Sequence, residues 1–257
     1  MPEFEHLRYE VQEHVAEITM ARHPVNAINT GLTREINAAY ALARDDDDVR
    51  AVILTSGCEK AFSAGMDLAM MRGGSGLKLK RFLEEFYMGM HDLQYRMGKP
   101  TIAAVNGPAR AAGVTLAVSC DVIIAAEDCD MGYPEINVGL IPAMHFVHLP
   151  RQIGRHPAFE ILFTGKPLGF AEAAARGLVN RAVPRSEVLP EARALARDFA
   201  AKSPVVMKLA RDSFMRANDL DYRRAIENTV ETICHIIETE AAQEGLDAFN
   251  EKRPPNW

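Results

Sequence analysis

The sequence predicts an α/β fold. Short, continuously apolar segments recur, and each is followed by a turn of small residues and a helix-spaced segment. The strand candidates "AVILTS", "TIAAV" and "DVIIAA" lack polar alternation, as strands buried on both faces of a parallel sheet do. From about Pro190 the pattern turns helical almost to the end, with Val230, Ile233, Cys234, Ile237 and Ala241 at three- and four-residue steps.

Taken in order, "YEVQEHVAEITMAR" alternates in part and delivers a strand into the polar, proline-punctuated loop "HPVNAIN". "GLTREINAAYALARDDDD" is helical, with Leu32, Ile36, Ala39, Tyr40 and Ala43 near one face. Its acidic end, Asp45 to Asp48, reads as a solvated loop, because four adjacent carboxylates do not converge on one ion. "AVILTS" leads into "EKAFSAGMDLAMM", a small-residue turn with a helical segment expected to about Met71. After the break "RGGSG", "LKLKRFLEEFYMGMHDLQYRMG" predicts one long amphipathic helix. The cycle repeats as strand "KPTIAAVN", turn "GPARAAG" and helix "VTLAVSC". It starts again at "DVIIAAE", leading to "DCDMGYPEINVGLIP", and a short strand "LVNRAV" follows a turn at Gly177. The expected division is a core over residues 1–195 and a helical region over 196–257, packed on that core or on a neighbouring subunit.

At 257 residues the chain can bury a full core, and 48% apolar with 25% charged residues is an ordinary globular profile. A net charge of -6 argues against nucleic acid bound by counterion release. No apolar run approaches the roughly 20 residues that cross a bilayer. "MPEFEHLRYEVQEH" is acidic, unlike a signal or transit peptide, and the four cysteines show no CxxC pairing. A reduced, cytoplasmic setting is expected, with no membrane partner.

Two turns and one carboxylate carry candidate chemistry. Each turn follows a buried strand and is read as opening a helix, which leaves backbone N–H groups unpaired and partly positive. The small residues Ala61, Ser63, Ala64 and Gly65, and Ala109, Ala111, Ala112 and Gly113, permit a ligand to approach the backbone; tight packing is the alternative. Ending beside one cleft, the turns would form an oxyanion hole. In "GYPEINVGLIP", Glu135 sits between Pro134 and an apolar segment, where burial would raise its pKa and suit it to proton transfer.

"AFSAGMDL", "VNGPARAAGVTLAVSCDVIIAAE", "YPEINVGLIP" and "AAARGLVNRAVP" occur in this order, framed by "HPVNAIN" and "FNEKRPPNW". Over nearly its whole length the chain resembles the enoyl-CoA hydratase/isomerase (crotonase) family. The resemblance implies a crotonase-like core of repeated β-β-α units, a helical C-terminal trimerisation region, and a homotrimer or dimer of trimers. It implies an acyl-CoA thioester as substrate, with coenzyme A entering only as part of it, no separate cofactor and no metal. Carried over by motif, the oxyanion donors are the N–H groups of Met66 and Ala112, and the acid/base is Glu135. Val25, Asn26, Ala27, Ser63 and Ala64 would line the coenzyme A groove, with Gly113 in the second turn. Asp67 of the "AGxD" pattern is expected to cap the following helix. Arg22, Lys252 and Arg253 are the candidate phosphate contacts, Lys252 foremost.

The resemblance also defines a departure. Two-acid hydratases of the family carry a second glutamate in a Gly-Gly-Gly-x-Glu turn; here the turn reads "AAGVT", with Thr115 at that place. One base suffices to move a double bond, taking a proton from C2 and returning it at C4, so isomerisation is the favoured reaction. Hydration or another enolate-forming reaction on an unusual acyl group stays open, with Thr115 positioning a water. So does a non-catalytic acyl-CoA-binding scaffold. "IPAMHFVHLP" is bulkier than its family counterpart and borders the acyl pocket there. His145 and His148 are spaced to share a helix face, as pocket lining, as surface, or with His145 partnering Glu135.

Overall fold

The computed structural model describes residues 3–73, 75–218 and 222–254. Gly74 of the "RGGSG" break, residues 255–257 of the terminal motif and the Ala241 side chain lie outside that description. Strands β1 (Leu7–Gln12) and β2 (Val15–Met20) form a hairpin that feeds the "HPVNAIN" loop and α1 (Thr30–Asp45). The Asn29 side chain caps α1 by accepting the Leu32 N–H at 2.9 Å. Next come β3 (Ala51–Ser56), α2 (Gly76–Leu83), α3 (Met90–Tyr95), β4 (Thr101–Val105), β5 (Ala109–Arg110) and α4 (Ala112–Val118). They are followed by β6 (Val122–Ala126), β7 (Asp130–Gly132), α5 (His145–Ile153), α6 (Arg155–Thr164), β8 (Leu168–Gly169), α7 (Phe170–Ala175) and β9 (Arg181–Val183). Helices α8 (Val188–Ala200), α9 (Pro204–Asn218), α10 (Tyr222–Ile236) and α11 (Glu240–Glu251) complete the order.

The main sheet runs β1-β2-β3-β4-β6-β9, parallel from β2 onward. Every residue of β3 and β4 is buried, which is why their sequences carry no polar alternation. A second, smaller sheet, β5-β7-β8, is extended by bridges pairing Ser63 with Ala109 and Ile28 with Met66. Each cycle therefore sends one strand to the main sheet and its next extended residues to the small layer before a helix begins. The β-β-α repeat is visible as β4-β5-α4 and again as β6-β7 leading towards α5.

The structure departs from the sequence reading in three places. After the first turn there is a single 3-10 turn, Leu68–Met70, and the next α-helix starts only at Gly76. The long amphipathic helix is interrupted between α2 and α3 by a π-helical segment, Glu84–Gly89. A boundary after residue 195 falls inside α8, which packs across β2, β3, β4 and β6. The helices beyond it fold back on the chain's own core: α10 packs on α2 and α5, and α11 packs on the turn that carries Glu135.

Candidate active site

The first turn is held by a parallel bridge whose geometry spares one amide. Ile28 N–H donates to the Gly65 carbonyl at 2.8 Å, and Asp67 N–H donates to the Ile28 carbonyl at 2.9 Å. In such a bridge the middle residue, Met66, points its own N–H away from the partner strand. In the second turn, Ala111 N–H donates to the Gly132 carbonyl at 2.9 Å, while Val114 and Thr115 N–H both donate to the Ala111 carbonyl. Ala112 thus opens α4 with an N–H that has no intrahelical acceptor. The amide at Ala112 is a helix N-terminal donor as expected; that at Met66 is free for a different reason, the bridge.

The turns press against each other. Arg110 N–H donates to the Ser63 carbonyl at 3.0 Å. A Cβ on Gly65 would sit 2.9 Å from the Arg110 carbonyl oxygen, and one on Gly113 would sit 2.6 Å from that of Ser63. Larger residues would force the turns apart. Ala111 holds φ 49° and ψ −118°, a conformation that side-chain-bearing residues rarely adopt.

Met66 and Ala112 line a cavity of about 720 Å³, together with Ala27, Ala64, Asp67 and Glu135. Leu68, Met71, Tyr87, Leu140, Ile141 and Ile233 supply apolar walls, and Phe249, Asn250 and Arg253 of the C-terminal region border it. Glu135 sits in the one-turn 3-10 segment Pro134–Val138, half-buried, with Oε2 sealed from solvent and without a hydrogen-bond partner. Burial pushes its carboxyl up to about 8, opposed by a hydrogen bond from its own backbone. Asp67, the other cavity carboxylate among the described residues, is already engaged. It accepts from Arg22 Nη2 at 2.9 Å and from the Ala69 N–H at 3.2 Å, the capping role expected of it.

Several expected groove residues build the cavity without lining it. Asn26 is fully buried: its amide donates to Ser56 Oγ at 2.8 Å and to the Phe62 carbonyl at 3.0 Å, and its Oδ1 accepts the Arg22 N–H at 2.9 Å. It clamps the loop to the first turn, and all its polar atoms are spent inward. Val25 contributes its carbonyl, which accepts the Ala64 N–H at 2.9 Å. Ser63 is buried, donating to the Asn26 carbonyl at 2.8 Å and accepting the Gly65 N–H at 3.2 Å. Gly113 is spent on the contact between the turns. Lys252 caps α11 in a left-handed conformation, and its neighbour Arg253 borders the cavity instead, paired with Glu244 and Glu251. The sequence reading passed over Tyr87 and Arg110, which both line the cavity. Arg110 was signalled by being the one large residue in "GPARAAG"; Tyr87 was hidden in a run of apolar helix positions.

The sequence model of the enoyl-CoA hydratase/isomerase family matches residues 10–257. The chain belongs to that family. It is 38% identical over 239 residues to a probable enoyl-CoA hydratase, described as mitochondrial, of Dictyostelium discoideum, covering 91% of this chain and 83% of that one. It is 32% identical over 256 residues to a crotonyl-CoA hydratase of Syntrophomonas wolfei, covering 99% and 98%. Its fold matches the crystal structure of an enoyl-CoA hydratase/isomerase from Xanthobacter autotrophicus with a TM-score of 0.87 at 31% identity, over 97% and 94% of the two chains.

Thr115 stands where the resemblance implied a second glutamate in two-acid hydratases. Thr115 is fully buried, and its Oγ1 lies 3.1 Å from His145 Nε2, itself 1% exposed. The His145 ring packs on Tyr133 at 4.4 Å and lies edge-on to His148 at 6.2 Å. Neither Thr115 nor His145 is among the residues that line the cavity; both are buried, with their side chains against each other. His145 and His148 do share a helix face, but both face inward. Among the described residues the one group with metal-ligand spacing is Glu5, His6 and Glu35, away from this site, where Glu35 accepts the backbone N–H groups of the other two.

Proposed function

We propose that the protein transforms an acyl-CoA thioester through an enolate, favouring movement of a carbon–carbon double bond. The observation that carries this is that Glu135 is the one cavity carboxylate, among the described residues, not held in an ion pair. Its raised pKa suits a group that must take and return a proton near neutral pH. Glu135 removes the C2 proton, the C–H electron pair moves towards the thioester oxygen, and the Met66 and Ala112 amides stabilise the charge gathering there. The same carboxyl then delivers the proton at C4 as the electrons return. Because the amides meet more charge in the transition state than in the substrate, they lower the barrier and not only the dissociation constant. The close-packed turns hold both donors in place before the reaction starts.

Hydration is the second reading, favoured by the relatives named as hydratases. It would need a water activated without a carboxylate at Thr115. Turnover of 3-hexenoyl-CoA and crotonyl-CoA side by side, with products separated by mass, tests both. Conversion of the 3-enoyl compound with no gain of water supports the isomerase; water addition to crotonyl-CoA selects hydration; silence on both favours a scaffold or an unusual acyl group. The trimer and the cytoplasmic setting belong to the same proposal. Exposed Val205, Val206, Leu209 and Phe214 on α9 offer apolar surface for subunit packing, and among the described residues no helix is long and apolar enough to cross a membrane.

A further inference from the structure

Tyr87 is one of several polar residues of the cavity lining that the proton shuttle does not use, beside Asp67, Arg110, Asn137, Asn250 and Arg253. It lies within the π-helical segment between α2 and α3, the irregular stretch of an otherwise amphipathic helix. π-Helical turns are rare and concentrate at functional sites. Its ring is wedged beside Phe86, with centroids 5.2 Å apart, and the residue is only 6% exposed. Among the described residues its hydroxyl has no hydrogen-bond partner, yet it is not one of the polar atoms sealed from solvent. The Tyr133 hydroxyl, by contrast, is sealed. Tyr87 lines the cavity, and its hydroxyl is not sealed from solvent.

Its surroundings make that hydroxyl a selective feature. Leu68, Met71, Leu140, Ile141 and Ile233 supply apolar lining of the same cavity, which Arg110, Asn137, Asn250 and Arg253 also border. Burial raises the phenol pKa, and the Glu135 carboxylate adds to the rise, so Tyr87 stays a neutral donor and stands within electrostatic reach of Glu135. A wall meant only for an aliphatic chain would gain nothing from a hydroxyl here, since phenylalanine offers the same ring. A polar group kept in such a wall discriminates through what is lost when its partner is missing.

We propose that Tyr87 is a specificity-determining residue whose hydroxyl holds an oxygen carried by the acyl group, a hydroxyl or oxo substituent beyond the thioester. This rests on the cavity being the acyl-CoA site. An ordered water is the other source of such an oxygen, and the test separates the two. In a Glu135→Gln background, which keeps the ligands intact, butyryl-CoA, 3-hydroxybutyryl-CoA and 4-hydroxybutyryl-CoA are titrated by calorimetry against proteins with Tyr87 and with Tyr87→Phe. The expected result is that one hydroxyacyl compound binds roughly three- to tenfold tighter than butyryl-CoA, the range of one neutral hydrogen bond. Tyr87→Phe should erase that preference while leaving butyryl-CoA binding within about twofold, which also shows that the variant is folded. Equal binding of all three compounds to the Tyr87 protein would overturn the proposal in favour of a water. A preference that survives in Tyr87→Phe would overturn it too. Failure of butyryl-CoA and both hydroxyacyl compounds to bind would overturn the acyl-CoA reading itself, a different result from equal binding.

Discussion

Glu135, half-buried, and His145, fully buried, are ionisable side chains near the second turn, and desolvation drives them in opposite directions. The Glu135 carboxyl is pushed up to about 8. The His145 imidazole is pushed down to about 3 by burial first and the His148 charge second, with a backbone contact at Ala111 opposing. In both, desolvation favours the neutral form. What separates them is their place. Each keeps one polar atom without a partner, Oε2 and Nδ1, but Glu135 lines the cavity whereas His145 lies in the core with Nε2 against Thr115. A perturbed pKa therefore marks both, and only access to the cavity makes one of them a candidate for chemistry.

The largest effect expected is at Glu135. Glu135→Gln keeps the shape and removes the exchangeable proton, so turnover on a confirmed substrate should fall by roughly 10²–10⁴-fold. Wild-type kcat/KM should climb with pH and level off above a midpoint near 8, since the base acts ionised. Stability should move the other way. The folded pKa lies above the ordinary 4.5, so this contribution is complete below pH 4.5 and is lost as pH rises to about 8. Denaturant titrations at pH 5 and pH 8.5 should show Glu135→Gln gaining on the wild type at the higher pH. A gain at the lower pH instead would contradict the burial of this carboxyl.

Thr115→Glu attacks the comparison from the other side by supplying the missing carboxylate. The site is fully enclosed and His145 Nε2 already lies 3.1 Å from the threonine oxygen. A larger, ionisable side chain there should destabilise the fold by about 3 kcal/mol or more and add no hydratase activity. New water addition to crotonyl-CoA in a well-folded variant would show that the place still opens to the cavity.

A smaller effect is expected at His145. Its folded pKa lies below the ordinary 6.5, so the stability it contributes is present above pH 6.5 and is lost as pH falls towards 3. His148, pushed down to about 4, adds to the same acid-side loss. In His145→Gln the fall in melting temperature between pH 7 and pH 4.5 should shrink, while turnover at pH 7 stays within about threefold of wild type. An unchanged acid profile would mean that the imidazole is solvated.

Much of this was legible in the sequence because it rested on local patterns. The strands of the main sheet announced themselves by unbroken apolar runs, and Met66, Ala112 and Glu135 by motifs of fixed spacing. What escaped depended on which way a side chain faced. Asn26 and Ala27 are neighbours in "HPVNAIN", yet Asn26 turns inward to clamp three segments while Ala27 lines the cavity. Tyr87 could not be told from the core positions Phe82 and Phe86, because the π-helical segment shifts the helix phase and no sequence period reports that. The pairing of Thr115 with His145 joins residues 30 positions apart, a contact created by the fold alone.

The smallest effect concerns the strain in one turn and its absence in the other. Gly65 takes φ 93° in the first turn, where glycine is at ease, whereas Ala111 takes φ 49° in the second, carrying a Cβ. Ala111→Gly should relieve about 1–2 kcal/mol of backbone strain in the folded state. Glycine loosens the unfolded chain by about 0.5–1 kcal/mol, so a net gain of well under 1.5 kcal/mol is expected, a rise of a few degrees in melting temperature. The reverse exchange, Gly65→Ala, meets the Arg110 carbonyl oxygen at 2.9 Å and the Ala111 Cβ at 3.0 Å, so it should lower the melting temperature. If the Ala111 methyl helps hold the Ala112 amide in its direction, the more stable Ala111→Gly protein should turn over more slowly, with kcat affected more than KM. Unchanged kcat alongside the higher melting temperature would show that the close packing of the turns, and not the strained residue, aims the donor.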